Sequence, residues 1–111
     1  MEEIQTDPET GGQKGTKQEE FGLIPFYPLK EVAKVYGYGA SKYAPQNWRR
    51  GYPWTWSVSA LFRHITAFLV GESMDKESGI HHLAHATFHL FLLIESERLG
   101  LGTDDIPERK C

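Results

Sequence analysis

The chain has 111 residues, 15 acidic against 12 basic, a formal net charge of −3, five histidines and one cysteine. One domain fits that length; the mild acidity excludes the basic footprint that duplex nucleic acid requires, and no apolar run approaches the roughly 18 to 20 residues of a membrane span. The lone cysteine, Cys111, excludes an intramolecular disulfide and, with no basic-then-apolar leader at the start, points to a reducing, cytoplasmic setting.

Residues 1–20 hold almost no apolar side chain after Ile4 and are rich in Gly, Glu, Lys, Gln and Thr, the composition of a mobile tail. Residues 103–111 look similar, so the ordered domain is expected over 21–102. That leaves roughly 80 residues to build a core, a size at which one hydrophobic nucleus is marginal by itself. A homo-oligomer is the expected remedy.

From Pro28, a favoured first helical position, Leu29, Val32, Ala33, Tyr36, Ala40 and Tyr43 fall on one side of a helical wheel, and Glu31, Lys34, Tyr38 and Lys42 on the other. This predicts a first helix, weakened in its middle by Gly37 and Gly39. Residues 44–55 carry Pro45, Pro53, Gly51 and the large aromatics Trp48, Tyr52 and Trp54, which reads as an ordered loop. A second helix follows, capped by Thr55 or Ser57 and running through Ala60, Leu61, Ile65 and Phe68 to about Gly71. After an acidic loop, a third runs from about Ile80 to Leu99, with Gly100 as its C′ residue. The strand signal is poor throughout, so the fold class is all-α: a small bundle of three main helices, completed by oligomerisation.

The chemistry concentrates between Arg63 and His89. On the third helix His82, His85 and His89 share one stripe, while His81 lies off it and reads as a surface residue. Arg63 and His64 lie on the second helix; Glu72 and Asp75, read as lying at a helix end, would point the same way and could hold one Mg²⁺ beside water and phosphate oxygens. The bland alternatives are interior histidines satisfied by hydroxyls or carbonyls, and an acidic solvated loop. A nucleobase could stack on Trp48, Tyr52, Trp54 or Trp56 with Asn47 meeting its edge, or the same loop could pack down as a lid or an oligomer contact. Arg49, Arg50, Lys34 and Lys42 could meet phosphates or be merely solvated.

These blocks resemble a known family. Leu23-Ile24-Pro25, Glu31-Val32-Ala33-Lys34-Val35-Tyr36, Asn47-Trp48-Arg49-x-Gly51, Ala60-Leu61-x-Arg63-His64 and Gly71-Glu72-x-x-Asp75-x-Glu77-Ser78-Gly79-x-x-His82-Leu83-Ala84-His85-Ala86 are similar to the phage and prophage family described as dATP/dGTP diphosphohydrolase, N-terminal domain, over about residues 21–100. That family is more distantly related to the all-α MazG-like nucleoside triphosphate pyrophosphohydrolases. The resemblance implies Mg²⁺- or Mn²⁺-dependent cleavage of a nucleoside triphosphate, with a purine deoxynucleotide the expected substrate, to monophosphate and pyrophosphate by an oligomeric helical bundle in the bacterial host cytoplasm. Glu72 and Asp75 match the Glu-x-x-Asp half of the MazG-like carboxylate pattern; the other half has no counterpart beyond Glu31, so His64 and His82 are expected among the metal ligands. Glu72, Asp75 and His85 are the expected catalytic groups, Arg63, Lys34 and Lys42 the phosphate contacts, and Asn47, Trp48 and Trp54 the base contacts. The alternative is a phage-type binding protein that sequesters a nucleotide, or a signal derived from one, without cutting it.

Overall fold

The computed structural model describes residues 3–109, and Cys111 lies outside them. Its body is three helices, α1 (Phe26–Lys42), α2 (Trp54–Leu69) and α3 (His82–Leu99), with short 3-10 turns at Phe21–Leu23, Asn47–Arg50 and Pro107–Arg109. The helix α3 packs against both of the others, so it forms the middle of the layer. No helix among the described residues is long and apolar enough to cross a membrane.

The first helix starts at Phe26, two residues before the expected Pro28, with Pro25 as its extended N-cap. Pro28 still sits in the first turn, where its missing N–H would have no intrahelical partner. The buried stripe is rotated from the expected one: Glu31, Val32 and Val35 turn inward, and Leu29 stays exposed. Val32 and Val35 meet Ile80 and Ala84 at the entry of α3, with Tyr36, Tyr38 and Phe88 packed around them.

The helix α2 begins at Trp54, ahead of the Thr55 or Ser57 cap expected from sequence, because a distant residue supplies the cap. Asp105 accepts from the Thr55 N–H at 2.9 Å and from its hydroxyl at 2.7 Å, doing what Pro53 cannot. The same C-terminal segment covers Trp54, whose N-cap-side N–H donates to the Thr103 carbonyl and whose indole N–H donates to the Leu101 carbonyl at 2.9 Å. Arg109 lies over the indole at 5.6 Å and pairs with Asp104 and Glu97. Residues 103–109, a tail by composition, are thus docked on the body. Their crossing with residues 51–53 is so close that a Cβ on Gly102 would fall onto the Tyr52 carbonyl, and both Gly51 and Gly102 have positive φ.

At the other end, Glu3–Thr6 (β1) and Gln13–Thr16 (β2) pair antiparallel, a hairpin in a segment whose composition predicts a mobile tail. Local turn chemistry accounts for it: Asp7 Oδ1 accepts from the Glu9 and Thr10 N–H groups, and Gly11 takes φ +76°. The strands bury little against the helices, which fits a radius of gyration of 18.2 Å where a compact chain of this length would have about 13 Å.

Candidate functional site

After α2 the chain folds back in a tight loop, residues 70–81, that decides where the acids point. Met74 and His81 form an antiparallel bridge, the His82 N–H donates to the Ser73 carbonyl at 2.8 Å, and the Gly79 N–H, at φ +72°, donates to the Asp75 carbonyl at 2.7 Å. Inside it Asp75 Oδ2 accepts from the Ser78 hydroxyl at 2.8 Å and, more weakly, from the Ser78 N–H at 3.3 Å. Burial opposes charge on Asp75, but the Ser78 hydroxyl and the Glu77 and Ser78 N–H groups outweigh it and hold the carboxyl below its ordinary range. Glu72 and Asp75 are therefore loop residues and not the helix-end pair expected from their spacing. The loop separates them, setting Glu72 Oε1 3.8 Å from His82 Nε2 and Asp75 Oδ2 3.5 Å from His85 Nε2.

The helical period of α3 brings His82, His85 and His89 to one face, and α2 sets His64 opposite them. His64 and His82 meet through their Nδ1 atoms at 2.8 Å, so one of the two carries the shared proton. The ring of His64 stacks on that of His85 with centroids 4.6 Å apart and an 8° tilt. His85 Nε2 also reaches the Ser78 hydroxyl at 2.7 Å, which places Ser78 between His85 and Asp75. His89 Nδ1 is 2.9 Å from Ser57 Oγ. His81 belongs to the fold: its Nδ1 accepts from the Leu83 N–H at 3.0 Å and caps α3.

Crowding keeps His64, His85 and His89 from charging. Burial, then the neighbouring His85 and His82, pushes His64 down to about 4. Burial, then His64 and His85, pushes His89 down to about 4 as well. Burial also lowers His85, against an opposing pull from Asp75. At neutral pH these rings are neutral, and a neutral imidazole keeps a lone pair that can take a proton or bind an ion.

All four imidazoles, with Asp75 and Arg63, line one open cleft of about 1270 Å³. Its other end is aromatic: Trp48 under the Arg49 guanidinium at 4.5 Å, and Tyr52 stacked on Trp56 at 5.5 Å and 21°. Of the residues singled out from the sequence, Asp75, His64, His82, His85, Arg63, Lys42, Asn47 and Trp48 line this cleft together. Four other expected residues stand elsewhere. Trp54 is buried beneath residues 101–109, so it stabilises the fold and has no free face for a base. Glu31 is 5 % exposed and off the cleft, its Oε2 2.8 Å from Lys34 Nζ without an aligned hydrogen bond, and Lys34 is thereby engaged outside the cleft too. Glu72 lies behind His82 and not on the cleft lining. Lys42 reaches the cleft already paired with Glu77 at 3.0 Å, and Tyr38 donates to the same carboxylate at 2.8 Å. Tyr52, Trp56, Glu77 and His89 line the cleft as well, outside the expected catalytic, metal, phosphate and base contacts. For Glu77 the signal lay in the Asp75-x-x-Ser78-Gly79 turn signature, which turns the acidic segment into a loop facing α1.

The donor set suits a divalent ion in one respect. His82 Nε2 is buried with no hydrogen-bond partner, an atom that an ion or a ligand would satisfy. Among the described residues no group of three His, Cys, Asp or Glu side chains is arranged to hold a metal alone. An ion held by Asp75 with His82 or His85 would complete its shell with phosphate oxygens and water, a mixed donor set that suits Mn²⁺ better than Mg²⁺.

Fold and site define a small helical protein with an imidazole cluster and a guanidinium at one end of a cleft and stacking aromatics at the other. Residues 8–106 match the family described as dATP/dGTP diphosphohydrolase, N-terminal, and the chain belongs to that family. It is also similar to the dATP/dGTP diphosphohydrolase of Salmonella phage PMBT28, at 34 % identity over 64 residues. The matched segment is 58 % of this chain and 22 % of that protein's length. No solved structure matches the chain.

Proposed function

We propose that this chain cleaves purine deoxynucleoside triphosphates to the monophosphate and pyrophosphate, with a divalent cation, in the cytoplasm of a bacterial host. The family and the phage relative's name support the substrate class. The observation that carries the chemistry is the Asp75–Ser78–His85 array, whose Asp75 and His85 line the same cleft as Arg63 and Trp48. Arg63 has no ion pair among the described residues and would meet the phosphates, while Trp48 and Trp56 stack the base and Asn47 bonds its edge. His85, neutral and oriented through Ser78 by Asp75, would accept the proton of the attacking water. The new oxygen bond forms at the α-phosphorus, the bond to the α–β bridging oxygen breaks, and pyrophosphate leaves. A Mg²⁺ or Mn²⁺ ion held by Asp75, His82 and the phosphates, with Glu72 behind His82, would supply charge neutralisation and acidify the water.

The chain is proposed to act as a homo-oligomer. The helix α3 is apolar nearly all round, a pattern that belongs to a buried helix, yet Leu90, Phe91 and Ile94 are exposed, Ile94 by 67 %.

Capture without cleavage is the second reading, and the engaged state of the acids favours it: Glu77 is tied to Lys42 and Tyr38, and Asp75 to Ser78. Incubation with dGTP or dATP plus Mg²⁺ or Mn²⁺, heat denaturation and product analysis separate the readings. Pyrophosphate, lost by about 100-fold in Asp75→Asn, supports hydrolysis; recovery of intact triphosphate supports capture and refutes hydrolysis.

A further inference from the structure

Ser57 is fully buried, at 0 % exposure, and its hydroxyl joins two side chains of the cleft wall, with the Tyr52 hydroxyl at 2.7 Å and His89 Nδ1 at 2.9 Å. A hydroxyl has one proton to give, so this three-member chain runs in one direction. The phenol is the better donor and the imidazole lone pair the better acceptor. Tyr52 therefore donates to Ser57 and Ser57 donates to His89 Nδ1, each bond polarising the next. A neutral ring that accepts at Nδ1 carries its proton on Nε2.

Burial keeps both ends of the chain uncharged, raising Tyr52 and lowering His89. His89 lines the cleft, and its Nε2 makes no hydrogen bond among the described residues. The Nε2–H is thus an unspent donor beside the imidazole cluster, with the rings of His89 and His64 6.4 Å apart.

We propose that His89 presents Nε2–H to the cleft as a neutral hydrogen-bond donor to an anionic oxygen of the bound nucleotide, with Ser57 and Tyr52 as positioning residues that fix its tautomer. The inference deepens the nucleotide reading and rests on it. A neutral donor polarises an oxygen without adding a like charge next to Arg63, the arrangement by which a neutral imidazole serves as an electrophile in other enzymes. It also explains a buried serine that no ligand can touch.

Two measurements decide it. Long-range ¹H–¹⁵N correlation of the imidazoles in the free wild-type protein needs no ligand; the Nε2–H tautomer of His89 is expected, turning into a mixture in Ser57→Ala, and an Nδ1–H tautomer in the wild type overturns the proposal. Calorimetry with a non-hydrolysable dGTP analogue then compares variants. His89→Ala and His89→Asn are expected to bind about tenfold more weakly, and His89→Gln, whose amide nitrogen falls near the Nε2 position, to bind within about threefold of wild type. Equal binding by wild type and His89→Ala overturns the donor while leaving the cleft reading intact. A wild type that binds no nucleotide overturns the cleft reading and the donor's target with it.

Discussion

The two ends of the cleft are built differently. At the imidazole end side chains are pinned: His64 to His82, His85 to Ser78 and Asp75, His89 to Ser57, with His82 only 6 % exposed. At the aromatic end Trp56 is 63 % exposed and Tyr43 60 %, the first held by stacking on Tyr52 and the second by contact with Lys42. The pinned end is preorganised for a small set of oxygen positions, and the open end can adjust to a flat ring. Under the proposed function, phosphates would sit at the first and the base at the second.

The largest expected effect separates two tryptophans only two residues apart. Trp54→Ala should cost about 3 to 5 kcal/mol of stability, because the ring is buried beneath residues 101–109. Trp56→Ala should leave stability within about 1 kcal/mol while weakening nucleotide binding by about tenfold or more. Chemical denaturation and calorimetry read the two, and loss of stability in both would erase the distinction between fold and cleft aromatics.

An intermediate effect tests the pinned end by pH. His64 and His89 fall from the ordinary 6.5 to about 4 on folding. The unfolded chain then binds more protons than the folded one between those values, so the stabilisation is present above pH 6.5 and is lost as pH falls towards 4. The melting temperature should drop by about 5 to 10 °C across that window, and a flat profile would contradict the buried neutral cluster. The smallest effect is Lys42→Ala, which removes an exposed pair with Glu77 and should change stability by no more than about 0.5 kcal/mol.

Much of this architecture is legible in local sequence. The third helix ends as expected because Leu99 is followed by Gly100 in the left-handed conformation, at φ +70°. The convergence of His82, His85 and His89 follows from spacing alone, and Arg63 and His64 face them from the preceding helix. What local pattern could not carry was long-range. The Asp105 cap on α2 joins residues 50 apart, and it also explains why Trp54 is structural. The rotation of α1, which buries Glu31, depends on where α3 presents Ile80 and Ala84. Glu72 and Asp75 do not share a helix face, although Glu-x-x-Asp has that spacing, because Ser78 and Gly79 commit the segment to a turn.

The most direct measurement follows imidazole and indole resonances while a non-hydrolysable dGTP analogue is titrated into the protein. One continuous cleft, holding phosphates at one end and the base at the other, requires the rings of His64, His85 and His89 and the indoles of Trp48 and Trp56 to shift along one binding curve while Trp54 stays still. Movement of the indoles with unchanged imidazoles, or of Trp54 alone, would contradict it.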